Sequence, residues 1–131
     1  MRGLIRCEQD GAIYRWRAAT IWEAARLIPA EQLPLALFES LLDRDLWFQH
    51  YEVPTIRNVM RHWERVESAD LSYPVILAPS GAVLDGTHRI IKAFTLRHAT
   101  VLAVRLPTYP PSDFHDDGVF LEHPDSGKSA V

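Results

Sequence analysis

The chain has one cysteine, Cys7. An internal disulfide is therefore excluded, and a reducing cytoplasm is the default compartment. A reactive thiol would need an electropositive, partly shielded setting, and Cys7 lies near the chain end. No apolar run approaches the roughly 20 residues that a spanning helix requires, so neither a membrane span nor a signal peptide is read. Positive charge is not in excess either: 14 Lys and Arg against 17 Asp and Glu leave a formal net charge of -3. That balance gives no electrostatic footprint for nucleic acid and argues against DNA binding by this chain alone. The six histidines contain no HxH or HxxxH pair, so a transition metal would need ligands from unrelated segments. No internal repeat is evident.

What is present is an ordinary globular composition, 131 residues with 47% hydrophobic and 24% charged, enough for one soluble domain with a core. Residues 1–11 are unpatterned and read as a flexible N-terminus. Ala12 to Arg17 alternates as a strand does. Thr20 and Glu23 have capping-box spacing, and Ile21, Ala24, Ala25 and Ile28 share a face, so a helix is predicted over 21–28, stopped by Pro29. Trp22 reads as a packing residue. Leu33 to Leu37 is predicted as an edge strand or strand start because of Pro34, with a helical turn over 38–42 broken at Asp43-Arg44-Asp45. The aromatic-rich connection 46–52 reads as a wall of the core, with a ligand-facing role as the alternative. Pro54 then opens a helix whose Ile56, Val59, Met60, Trp63 and Val66 form one predicted buried stripe. Arg57, Arg61 and Arg65 fall on another face, either solvated or with Arg57 or Arg61 reaching the anion held by Gly86 to Arg89. Residues 107–131, rich in proline and polar residues, read as an extended arm that wraps the domain or dangles, with Val119-Phe120-Leu121 able to dock on a neighbour. Gly127-Lys128-Ser129 lacks the upstream glycine of a P-loop and is discarded.

The centre of the chain is Tyr73 to Leu106. Val75 to Ala78, the turn Pro79-Ser80-Gly81 and Ala82 to Leu84 describe a β-hairpin. From His88, Ile90, Ile91 and Phe94 have helical spacing, and Val101 to Val104 reads as a strand. Gly86 thus sits where strand gives way to helix, and Thr87 or Asp85 can cap the first turn. Free N–H groups there, with His88 and Arg89, make a candidate phosphate or carboxylate cradle. The alternative is that Gly86 only makes a tight turn and Arg89 pairs with a nearby carboxylate. Asp85 can serve Mg²⁺, with Glu52 a second carboxylate, or can simply form the turn.

Pro74 to Leu77, the hairpin, Val83-Leu84-Asp85-Gly86-Thr87-His88-Arg89, Ala93 and the closing strand resemble the core of the ParB/sulfiredoxin-like superfamily, which includes the ParB-like nuclease domain. The segment Ala69-Asp70-Leu71 before Tyr73-Pro74 is similar to the one preceding the same strand there, and the resemblance spans roughly residues 54–106. It implies a single α/β (α+β) domain over 12–106, a small mixed sheet with a hairpin leading into a phosphate-binding helix. Sulfiredoxins carry a Cys just before the His-Arg pair, where this chain has Thr87, so sulfinic-acid reduction is not expected. ParB partition proteins have a different turn and a separate DNA reader, for which no room remains. Free-serine kinases of the superfamily match Asp-Gly-x-His-Arg more closely.

The expected function is therefore binding of a nucleotide or phosphorylated small molecule, extending to phosphoryl transfer as a small-molecule kinase or NTPase. In that reading Gly86, Thr87, His88 and Arg89 hold the phosphates of a nucleoside di- or triphosphate with Mg²⁺, and Asp85 positions the metal or a substrate hydroxyl. Arg57 or Arg61 assists, and Glu52 or His50 orients the acceptor. The alternatives are a non-catalytic sensing or protein-interaction module, for which a protein partner or a homodimer is expected, and a chromosome-partition or nuclease-like factor.

Overall fold

The computed structural model describes residues 4–48 and 52–113. His50 and residues 114–131, including Val119-Phe120-Leu121, lie outside them. The order is β1 (Ile5–Gln9), β2 (Ala12–Trp16), α1 (Ala18–Ala25), β3 (Glu31–Pro34), a 3-10 helix (Leu35–Asp43), α2 (Ile56–Ser68), β4 (Val75–Leu77), β5 (Val83–Asp85), α3 (Thr87–Thr95) and β6 (Thr100–Arg105). The fold class is α/β, with a two-stranded sheet β1-β2 and a four-stranded sheet of order β3-β6-β4-β5. Among the described residues no helix is long and apolar enough to cross a membrane. The described residues divide into two compact units, one within Met1–Ile28, Ile76–Asp85 and Arg105–Val131, the other within Pro29–Val75 and Gly86–Val104.

In the first unit, β1 and β2 form an antiparallel hairpin in register Ile5↔Trp16 to Gln9↔Ala12. Its turn is Asp10-Gly11, both at positive φ (52° and 80°), the geometry of the two-residue turn that matches strand twist. Residues 1–11 thus contain a strand. Its alternation was hidden because the inward positions after Ile5 are Cys7 and Gln9 rather than large apolar residues. Helix α1 starts at Ala18, earlier than the 21–28 expected. Asp113 explains the difference: its Oδ2 accepts from the Arg17 amide (2.8 Å) and from the Thr20 hydroxyl (2.6 Å). Thr20 therefore lies inside the helix, and a carboxylate distant in sequence serves its start. Residues 109–113 line β2. Ser112 Oγ accepts from the Arg15 amide (3.2 Å) and donates to the Arg15 carbonyl (3.0 Å), and the indole of Trp16, fully buried, donates to the Pro110 carbonyl (3.0 Å). Burial raises the Cys7 thiol above its ordinary value, although a hydrogen bond with Tyr109 and the Arg6 charge act the other way. That opposes a reactive role.

In the second unit, β3 pairs antiparallel with β6, Glu31↔Ala103 to Pro34↔Thr100. The strand expected over 33–37 ends at Pro34, and Leu35 turns into the 3-10 helix with Leu35 and Phe38 buried. Helix α2 is capped by Thr55, whose side chain accepts from the Asn58 amide (3.1 Å); Pro54 stands before the cap instead of opening the helix. The predicted buried stripe on α2 is corrected. Val66 is buried, but Ile56, Val59, Met60 and Trp63 are 80%, 44%, 57% and 41% exposed. The inward arc is His62 and Val66, one turn apart, so the helix is rotated away from its most apolar face. Two cations of α3 tie it to the last turn of α2 and the segment that follows. Lys92 Nζ donates to the carbonyls of Glu67 (2.8 Å) and Ala69 (2.7 Å), where the helix dipole favours a positive charge, and Arg89 Nη1 donates to the Pro74 carbonyl (2.9 Å).

Candidate functional site

Gly86 is the N-cap of α3, at φ 114°. A β-carbon there would meet Val75 Cα and both of its methyl groups at 3.1–3.2 Å. The position needs glycine both for its left-handed conformation and for this close approach. The turn puts Thr87, buried, and then His88 on the first turn of α3, whose N–H groups have no acceptor within the helix.

His88 is held from α2. Its Nε2 is 3.2 Å from His62 Nδ1, and His62 Nε2 is 3.2 Å from Glu52 Oε1. The His62 and His88 ring planes lie 16° apart with centroids at 5.5 Å, meeting edge to edge through those nitrogens. Trp47 covers both imidazoles, 4.5 Å and 3° from His62 and 5.4 Å and 16° from His88. Phe48 stands edge-on to Trp47 and to His62. Asp45 Oδ1 accepts from the Phe48 amide (2.9 Å), and the Glu52 amide donates to the Phe48 carbonyl (3.1 Å).

The hydrogen bonds assign the tautomers. An ionised carboxylate only accepts, so His62 carries its proton on Nε2. Burial lowers the His62 basicity below the ordinary value, with Arg65 and Arg61 acting in the same direction and Glu52 opposing. The ring is therefore neutral near pH 7, and its Nδ1 accepts from His88 Nε2–H. In neutral His88, Nδ1 is then the nitrogen bearing the lone pair. The result is a carboxylate–imidazole–imidazole chain ending on the first turn of a helix, an arrangement able to pass a proton.

The residues expected in the site are only partly brought together. Glu52 and His88 join through His62. Gly86 and Thr87 build the turn. Arg61 sits at the outer end, bonded to Asn58 Oδ1 and 4.0 Å from Glu52 Oε1. Arg57 is exposed on α2. Arg89 Nη1 is committed to the Pro74 carbonyl, a strand-anchoring bond the sequence reading did not include. Asp85 belongs to the other unit, where its Oδ2 accepts from the indole of Trp22 (2.9 Å). Trp22 is 56% exposed and hydrogen-bonded, in place of the packing role expected. The sequence reading missed His62 and the cover of Trp47. The signal for His62 was its one-turn spacing from Val66. Among the described residues no group of three His, Cys, Asp or Glu could hold a metal ion. No family model, curated protein or solved structure matches the chain.

Proposed function

We propose that this chain is a ParB/sulfiredoxin-like phosphate- or nucleotide-binding domain. The anion is bound at the Gly86–Thr87–His88 turn, and the Glu52–His62–His88 chain moves a proton to or from the ligand. One observation carries the reading: the pair of 3.2 Å contacts that link His88, on the first turn of α3, through His62 to Glu52. The α3 N-terminus supplies amide donors and a favourable dipole for an anion. His88 supplies a titratable group on the same turn. When His88 takes a proton at Nδ1, its Nε2–H can shift toward His62 Nδ1, and the resulting imidazolium lies against Glu52. The low basicity of buried His62 returns the proton once the ligand needs it. Such a device suits the activation of a hydroxyl acceptor in phosphoryl transfer, in which the rest of catalysis is positioning and charge stabilisation.

A thermal-shift series of the purified chain against phosphate, pyrophosphate and nucleoside di- and triphosphates, with and without Mg²⁺, tests the reading. The expected result is a raised midpoint with a phosphate ligand, lost in His88→Asn. His62→Gln should retain binding and lose turnover of any acceptor substrate. Arg89→Ala is a poor discriminator because Arg89 also anchors Pro74. Absence of any shift in the wild type would remove the anion site and leave the protein-interaction module as the reading.

A further inference from the structure

Helix α2 turns an apolar stripe outward. Ile56, Val59, Met60 and Trp63 are all exposed, and they occupy one arc at spacings of 3, 1 and 3 residues. Beside that arc runs a groove of about 500 Å³ lined by Ile56, Arg57, Met60, Arg61 and Glu64. A contiguous exposed apolar surface rimmed by charge marks an interaction site.

The order of residues along the stripe is self-complementary. Take two copies of α2 side by side and antiparallel, related by a two-fold axis between Val59 and Met60. Ile56 then faces Trp63 of the second copy, and Val59 faces Met60. In an antiparallel pair the same flank of each helix faces its counterpart. Arg57 and Glu64 both lie on the groove flank of the stripe, about 100° and about 80° around the helix from Ile56 at 3.6 residues per turn. The same axis therefore sets Arg57 of each copy beside Glu64 of the other. A parallel two-fold pairing would put this flank of the two helices on opposite sides of the seam, so that neither Arg57–Glu64 pair could form. The antiparallel pairing also brings acidic Glu64 to the positive N-terminal end of the opposite helix.

We infer that α2 is a homodimer interface, a second copy of this chain packing antiparallel on Ile56, Val59, Met60 and Trp63 with two symmetric Arg57–Glu64 ion pairs. Isologous two-fold contact of this kind is the commonest closed assembly. The inference is independent of the proposed phosphate chemistry, since none of these six side chains belongs to the proton chain.

Sedimentation velocity of the full chain over the micromolar to submillimolar range tests it. The expected result is a concentration-dependent dimer, weakened about tenfold or more by Met60→Arg, as for a central hot spot. Ile56→Glu should act in the same sense, and circular dichroism should show both variants folded, because the positions are exposed. Arg57→Glu and Glu64→Arg should each weaken the dimer, and the double variant should recover most of the loss, since the swap restores both ion pairs. A monomer across the range overturns the inference and assigns the face to another occupant, either a different protein or the chain's own C-terminal residues. A dimer in which the double swap is no stronger than the single variants overturns the antiparallel register.

Discussion

Tyr14, Trp16 and Tyr109 in one unit, and Trp47, His62 and His88 in the other, each form a group of three near-parallel rings. In the first the planes agree within 7° at centroid separations of 4.9–6.2 Å; in the second they agree within 16° at 4.5–5.5 Å. The packing is alike and the chemistry is not. The polar tips of the first group end on neutral partners, Trp16 Nε1 on the Pro110 carbonyl and the Tyr109 hydroxyl on Gln9 Oε1 (2.9 Å). It contains no imidazole and ends on no carboxylate, and it fastens residues 109–113 along the β1-β2 hairpin. The second group contains two imidazoles and ends on a carboxylate, so the same stacking holds a chain of titratable nitrogens in register. Stacked rings alone do not define a site. What singles out the second group as the candidate is a titratable edge inside the stack, a charged group behind it and a helix start in front.

If that contrast is right, the first stack should be the more costly to break. Trp16 is fully buried, and Trp16→Ala should remove about 3–5 kcal/mol of stability in urea denaturation. Trp47→Ala, at a half-buried ring, should cost less and should instead change the NMR titration of His62 and His88. Equal losses at the two positions would erase the distinction between a fastening stack and a titrating one. Next in size is Gly86→Ala, which strains the left-handed turn and drives a methyl into Val75. It should cost about 1–3 kcal/mol and displace His88, so that stability and histidine titration change together. A variant as stable as the wild type would show that the turn does not set the position of His88.

The parts of this architecture that were legible in sequence are those with local causes. The hairpin over 75–85, α3 from its glycine start and β6 all follow from short-range spacing and turn chemistry. Asp10-Gly11 was equally legible as a hairpin turn, but Cys7 and Gln9 obscured the strand before it. The α1 start was not readable because its carboxylate, Asp113, comes from more than ninety residues away. The phase of α2 failed for a more instructive reason. Hydrophobicity placed the stripe of Ile56 and Met60 inward, whereas the arc that faces the protein contains His62. A buried polar residue is paired rather than apolar, and its partners, Glu52 and His88, cannot be read from helical periodicity. Glu52 and His88 were recognisable as candidates, but the link between them was not.

The subtlest test concerns the sign of the His62 contribution. Burial, the leading influence, lowers its basicity in the folded chain relative to the unfolded chain, whose histidine titrates near the ordinary value of about 6.5. Below that value the unfolded chain binds the extra proton more readily than the folded one. The His62 contribution to stability is therefore fully present above about pH 6.5 and declines as pH falls toward the lowered folded value, with a slope of at most about 1.4 kcal/mol per pH unit. Urea denaturation of the wild type and His62→Gln, at matched pH values on both sides of that point, isolates the contribution from other titrating groups. The wild type should lose stability relative to the variant on acidification. A relative gain on acidification would mean that His62 charges more readily in the fold than outside it. Glu52 would then act as its ion-pair partner, and the Trp47 stack would be an electrostatic clasp resembling the Asp113 contact of the other unit instead of a relay that hands its proton back.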